Sequence, residues 1–322
     1  MTQWKEIPMT EMEGLRIGHA QNAEHGTGCT VLIFEDRAPC GLDVRGGGPA
    51  SRETQLLDPT ASNDGVNAVL LSGGSAYGLD AAGGIMKYLE EHGMGLQVGK
   101  AVVPIVVGSC LFDLNCQDHL VRPDASMGYE ACVNSEKNQN LQGNVGAGTG
   151  ATVGKMLGDS RTMKSGLGTY ALQLGDLKVG AIVAVNAIGD VFELDSQKEL
   201  AGLLNEEGTA MISSEEAVVK FLQADSFVAS NTTIAAIVTN AKLHKSELKK
   251  VAQLASNGIA RTIRPVNTSM DGDSVYALSC GAVPSCSDVV GTLGAHALGM
   301  AINRAVLSAE PAYGYKAAGD FL

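Results

Sequence analysis

Aromatic residues are scarce in this 322-residue chain, at 4% of the sequence with a single Trp. A core of that size must be filled with small and aliphatic side chains. The 40 glycines and 45% hydrophobic content fit tight packing with many backbone turns. The same numbers exclude disorder, which needs more charge and less apolar content. Positive charge is also short, with 23 Lys and Arg against 35 Asp and Glu, a net charge of -12. Nucleic acid is therefore not expected as a partner, because phosphate binding needs a basic surface.

Long apolar runs are missing too. The longest, Ala101 to Val107, is far too short to span a bilayer, so no membrane partner is expected. The first residues, MTQWKEIPMTEMEG, carry no hydrophobic signal core, which makes a cytoplasmic location the default expectation. The seven cysteines (29, 40, 110, 116, 132, 280 and 286) are odd in number and form no CxxC pair, and the six histidines form no HExxH. They read as small core residues in a reducing compartment, with no disulfide frame, metal site or cofactor indicated.

Local patterns give the elements. Gly28 to Glu35 reads as a strand, and with Cys40 to Val44 after the turn at 36–39 it predicts a hairpin. The loop Gly46-Gly47-Gly48-Pro49 either exposes amides to an anion or lets two chain segments approach closely. Asn67 to Ser72 is a buried strand that runs through Gly73-Gly74-Ser75 into a helix from about Leu79 to Glu91. That shape is a nucleophile elbow, but G-x-S-x-G is not met, so Ser75 is expected to be structural or, with Gly74, to line a substrate. Val102 to Phe112 predicts a strand pair broken at Pro104, and Asn134 to Gln142 an exposed loop.

The densest glycine cluster runs from Gly143 to Lys155 and includes Gly148, a further candidate for lining a substrate. It departs from the Walker pattern at Thr149 and Met156. The dinucleotide pattern fits at Gly146, Gly148 and Ala151, but a polar loop precedes it where a strand is required, so no nucleotide is expected. Strands follow at Tyr170 to Leu174, Val179 to Val185 and Thr232 to Thr239. Between them Asp195 to Asn231 is a more polar excursion, with a helix cap at 213–216 before a helix over 217–222. A helix from about Asp288 to Ser308 closes the chain. Strand hairpins mixed with long helices, in one unit without a linker or repeat, argue for an α/β (α+β) layered body.

One stretch stands out. Arg261 to Gly281 places Asn267-Thr268-Ser269 on a short bend, after an amphipathic helix stopped at Arg264-Pro265 and before an alternating strand from Ser274. Such a bend is either a plain turn or a place that presents a nucleophile.

The ordered blocks GGGPASRET, AVLLSGGSAYGLDAAGG, VPIV, RPDASMGY, GNVGAGTGATVGK, KSGLGT, VAVNAIGD and IARTIRPVNTSMDGDSVYAL cover most of the chain. In that order they resemble the self-processing serine/threonine aminopeptidases that include L-aminopeptidase/D-Ala-esterase/amidase, the β-aminopeptidases and the nylon-oligomer hydrolases. The resemblance implies a four-layer αββα sandwich like that of N-terminal-nucleophile hydrolases, with its own connectivity. It also implies self-cleavage before a Ser or Thr, here matched to Asn267-Thr268, giving residues 1–267 and 268–322. Thr268 is then the expected nucleophile, Asn186 the oxyanion donor, Lys164 the nearby lysine and Tyr129 a tyrosine lining the site. Ser287 and Asp288 are the nearest matches to the polar or acidic pair beyond the nucleophile, and an ordinary helix cap explains them equally well.

The chemistry stands on its own. A threonine hydroxyl needs a base, and the α-amine of a freed N-terminal Thr, with a reference pKa of about 7.7–8.0, can serve. The resulting expectation is an aminopeptidase or amidase of short peptides or small amides, working as a homo-oligomer. An acyltransferase of the ornithine-acetyltransferase kind and an uncut binding protein are the alternatives.

Overall fold

The computed structural model describes residues 4–220 and 231–322. Two sheets face each other at its centre. One runs in the order Lys5–Ile7, Leu167–Leu174, Leu177–Asn186, Thr232–Ala241, Ser274–Val283, Cys40–Val44. Its neighbours are antiparallel except Thr232–Ala241 against Ser274–Val283, which are parallel. A parallel pair needs a crossover, and the helices Lys245–Ala255 and Asn257–Thr262 supply it. The other sheet has the order Leu15–Asn22, Thr27–Ala38, Val66–Ser72, Val106–Cys110, Ala50–Arg52.

Alternation along each strand builds three cores. Ile182, Ala184, Ile234, Ala236, Tyr276 and Leu278 point between the sheets to meet Ile17, Leu32, Val69 and Leu71. Their neighbours Val183, Ala235, Ile237 and Ala277 point outward to the helices Lys245–Ala255 and Ser287–Leu307. On the far side Val31, Ala68 and Leu70 pack beneath the helices Ala81–Glu91 and Ala125–Asn134. Helix, sheet, sheet, helix is the expected αββα sandwich.

Glycine lets these layers close. A Cβ on Gly84 would lie 1.7 Å from the Ala125 carbonyl oxygen, and one on Gly128 would lie 1.9 Å from that of Ala81, so the two outer helices touch backbone to backbone. Likewise a Cβ on Gly168 would lie 1.9 Å from the carbonyl oxygen of Ala301 in the last helix.

Several expectations needed revision. Thr27–Ala38 and Cys40–Val44 do not form a hairpin, because the turn between them carries the chain from one sheet to the other. The helix Ala125–Asn134 was hidden in a polar stretch, where Asp124 caps it by accepting from the Met127 amide at 2.9 Å. The helix expected over 217–222 is found as Ser214–Lys220, and residues 221 and 222 lie outside the described residues. The triple-glycine loop serves close approach: Gly47 and Gly48 donate to the carbonyls of Thr268 and Asp271 at 3.1 and 2.8 Å. Among the described residues no helix is long and apolar enough to cross a membrane.

Because the backbone of Ala81 leaves no room for a side chain at Gly128, Gly128→Val is expected to lower stability by about 2 kcal/mol or more, read as a lower urea midpoint at unchanged m-value.

Candidate active site

Asn186 ends one central strand and Thr232 begins the next, and the two are direct cross-strand partners. Asn186 shares its parity with Ile182 and Ala184, and Thr232 with Ile234 and Ala236, so both side chains face the space between the sheets. Both are buried. Beside them opens a cavity of about 330 Å³ whose wall includes Asn231, Thr152, Lys155, Phe112 and Asp113.

Each wall residue is held by a local cause. Asn186 Oδ1 accepts from the Lys155 ammonium at 2.5 Å and from the Thr152 amide at 3.1 Å, and its Nδ2 donates to the Phe112 carbonyl at 2.8 Å. The second Nδ2 hydrogen is left over. Lys155 also donates to the Asn186 carbonyl at 3.2 Å. Burial pulls the Lys155 pKa down to about 7, against the opposing charges of Asp159, Asp113 and Asp271. Asp113 is raised to about 6 by burial, while the Gly74 amide at 2.6 Å and the Thr27 hydroxyl at 2.8 Å hold its charged form. Asn231 is fully buried, and both polar atoms of its side-chain amide lack a partner among the described residues. Its carbonyl accepts from the Gly272 amide at 2.9 Å and from the Thr232 hydroxyl.

Asp271 and Asp273 lie behind this bond. Asn231 and Asp271 form a parallel bridge, and Asp273 accepts from the Thr233 amide at 2.6 Å and the Asn267 amide at 3.1 Å. Burial, and then the neighbouring Asp271 charge, push Asp273 up to about 7, and burial raises Asp271 as well.

The residues expected from sequence divide sharply. Asn186 stands behind the cavity wall, bonded to its Lys155, Thr152 and Phe112. Thr268 is in a bracing turn: its amide donates to Asp271 at 2.7 Å, its hydroxyl accepts from the Met270 amide at 3.3 Å, and its carbonyl accepts from the amides of Gly47 and Asp271. Asn267 occupies the left-handed region there, with φ 58°. Lys164 is buried with its ammonium on the carbonyls of Gly148 at 3.1 Å, Ala151 at 3.0 Å and Ser165. Burial pulls its pKa down to about 7, yet three carbonyls can be satisfied together only by the three protons of the charged form. It is a staple for the glycine cluster.

Tyr129 stands on the outer helix layer, donating to Glu91 at 2.8 Å and edge-on to Tyr88. Ser287 and Asp288 start the last helix, beyond the far end of the ten-residue strand Ser274–Val283 from the Thr268 turn, a span of roughly 30 Å. They are an ordinary helix start. Ser75 sits at a left-handed bend, φ 55°, with its amide on the Leu111 carbonyl at 2.9 Å. Gly74 touches the cavity through Asp113, and Gly148 through none of its hydrogen bonds, since its carbonyl is taken by Lys164.

Asn231, Lys155 and Asp113 on the cavity wall, and Thr232, Asp271 and Asp273 beside Asn231, were not among the residues expected from sequence. Asn-Thr occurs at both 231–232 and 267–268, and that repetition was the available signal.

The family model described as Peptidase family S58 matches residues 8–318. The chain belongs to peptidase family S58. This S58 peptidase is accordingly a hydrolase of peptide or amide bonds. It is 40% identical over 292 residues to an uncharacterized aminopeptidase of Mycobacterium leprae, covering 85% of this chain and 79% of that protein. It is 29% identical over 278 residues to a 6-aminohexanoate-oligomer endohydrolase of Paenarthrobacter ureafaciens, covering 85% and 75%. In fold it is similar to L-aminopeptidase D-Ala-esterase/amidase from Ochrobactrum anthropi, described as a variant of the Ntn hydrolase fold, with TM-score 0.68 at 18% identity over 94% of this chain and 86% of that one.

Two outcomes are expected from the buried charges. Lys164→Met strips the donor from three buried carbonyls and should cost about 3 kcal/mol or more in chemical denaturation. For Asp273 the folded pKa exceeds the unfolded one, so the folded chain keeps a proton that the unfolded chain releases. Its stability contribution is full below about pH 4 and is lost as pH rises through about 7. Urea midpoints taken from pH 5 to pH 7.5 should therefore show a falling component of up to about 1.4 kcal/mol per pH unit that Asp273→Asn removes.

Proposed function

We propose that this chain is a self-processing N-terminal-nucleophile amide hydrolase in which the scissile bond is Asn231–Thr232 and Thr232 is the nucleophile. The observation that carries this reading is the pairing of Thr232 with Asn186, whose side chain is bonded to Lys155, Thr152 and Phe112 of the cavity wall. Thr268 has the right residue type, but its bonds brace a turn instead of facing that cavity.

The hydroxyl of Thr232 already touches the preceding carbonyl. In self-processing its oxygen adds to the Asn231 carbonyl carbon, the bond from that carbon to the Thr232 nitrogen breaks, and an ester forms. Water then hydrolyses the ester, releasing the Asn231 carboxylate and leaving Thr232 with a free α-amine and hydroxyl. The same hydroxyl, with the α-amine as base, attacks a substrate amide carbonyl, expels the amine and passes through an acyl-enzyme that water resolves. Asn186 has a spare amide hydrogen for the developing oxyanion, and its position is fixed beforehand by Lys155, Thr152 and Phe112. Lys155, in the fraction that carries its proton near pH 7, disfavours protonation of a nearby amine and so helps keep the base available.

Short peptides and small linear amides are the substrate class, in keeping with relatives named as aminopeptidases and as an oligomer endohydrolase. The cavity volume is at the small end of the roughly 300–1,000 Å³ range of ligand sites.

Mass spectrometry of the purified protein should give fragments 1–231 and 232–322. Thr232→Ala should remain one chain and lose turnover by about 10³-fold or more, whereas Thr268→Ala should still divide before Thr232. Fragments dividing before Thr268, or an intact wild-type chain that nevertheless turns over, would overturn the assignment.

A further inference from the structure

We propose that Tyr315 sets the length of substrate accepted, by standing as a wall between the reaction cavity and a second cavity behind it. The proposal rests on the reading of the first cavity as the reaction site. The second cavity, about 350 Å³, shares Asp159 and Tyr315 with the first and continues toward Thr162, Glu207 and Lys316. The shared residues are the partition.

The backbone fixes that partition firmly. Tyr315 closes a tight two-residue turn in which its amide donates to the Ala312 carbonyl at 2.9 Å and the Ala312 amide donates back at 3.2 Å. Tyr313 and Gly314 between them are both left-handed, with φ 56° and 81°, the geometry of a primed hairpin turn. Both flanks are tied down. The Tyr313 hydroxyl donates to the Ala23 carbonyl at 2.7 Å, and the Lys316 carbonyl accepts from the Lys164 amide at 2.7 Å. The Lys316 ammonium adds a bond to the Gly208 carbonyl at 2.7 Å.

The Tyr315 hydroxyl makes no hydrogen bond among the described residues, so what the side chain contributes is the volume of its ring. With the ring present, an amide chain entering the first cavity ends against it, and single-residue amides and short peptides fit. With the ring removed, the two cavities join into one channel whose polar walls suit the backbone of a longer linear amide.

The test compares kcat/KM for alanine p-nitroanilide and for tetra-alanine, using the full self-processed protein. Tyr315→Ala should shift the ratio at least tenfold toward the tetrapeptide. Tyr315→Phe, which keeps the ring, should leave it within twofold of wild type, and Tyr315→Leu should fall between and serve if the alanine variant does not process. A ratio unchanged in both Tyr315→Ala and Tyr315→Leu, with thermal unfolding preserved, overturns the proposal; so does an equal loss on both substrates. Failure of the underlying site reading shows separately, as turnover that survives Thr232→Ala.

Discussion

The register between Leu177–Asn186 and Thr232–Ala241 is the constraint on which the site depends. Because side chains alternate with a period of two, a slip of one residue would turn Thr232 toward the helix layer and bring a different residue opposite Asn186. The register is held by far more than the site itself. Ile182, Ala184, Ile234 and Ala236 bury their side chains between the sheets, while Val183, Ala235 and Ile237 bury theirs on the other face. The pairing of Asn186 with Thr232 at the strand ends is thus secured by hydrophobic packing along the strand bodies.

A second layer of control is electrostatic. Burial draws Lys155 down to about 7, lifts Asp113 to about 6 and Asp273 to about 7, and raises Asp271 as well, each held partly in place by backbone amides or carbonyls. Such groups are expensive to keep in a core. Asp271 and Asp273 tie the two Asn-Thr segments together, accepting from the Thr268 and Asn267 amides on one side and meeting Asn231 and Thr233 on the other, while Lys155 and Asp113 share the cavity wall with Asn231. Lys164 shows the contrasting case: equally buried, but with all three protons spent on carbonyls of the glycine cluster.

Much of the fold was legible in the sequence. Period-two alternation located the central strands, and the glycine-rich, aromatic-poor composition anticipated layers pressed together at Gly84, Gly128 and Gly168. The site was legible only in part. Asn186 was reached through the block VAVNAIGD and the resemblance it carries, since a polar residue at the end of an apolar strand by itself reads equally as a turn cap. Thr232 was not reached, because it opens a strand directly after a polar stretch, without the turn signals that drew attention to Thr268. Lys155 and Lys164 both follow glycine-rich segments, and only three-dimensional contacts tell which lysine reaches Asn186 and which reaches carbonyls. Helix Ala125–Asn134 hid for a similar reason, its buried side being Gly128, Ala131 and Cys132 instead of large apolar residues.

The strand order has a mechanical consequence for a chain broken between Asn231 and Thr232. The segment after the break supplies Thr232–Ala241 and Ser274–Val283, and these lie side by side between Leu177–Asn186 and Cys40–Val44 from the segment before it. Its last helix, Ser287–Leu307, also lies across strands of both segments. The two pieces are interleaved like fingers of folded hands, so parting them would tear the sheet along two hydrogen-bonded seams and open two cores at once. Severing one peptide bond in such a weave frees an amine without freeing a polypeptide.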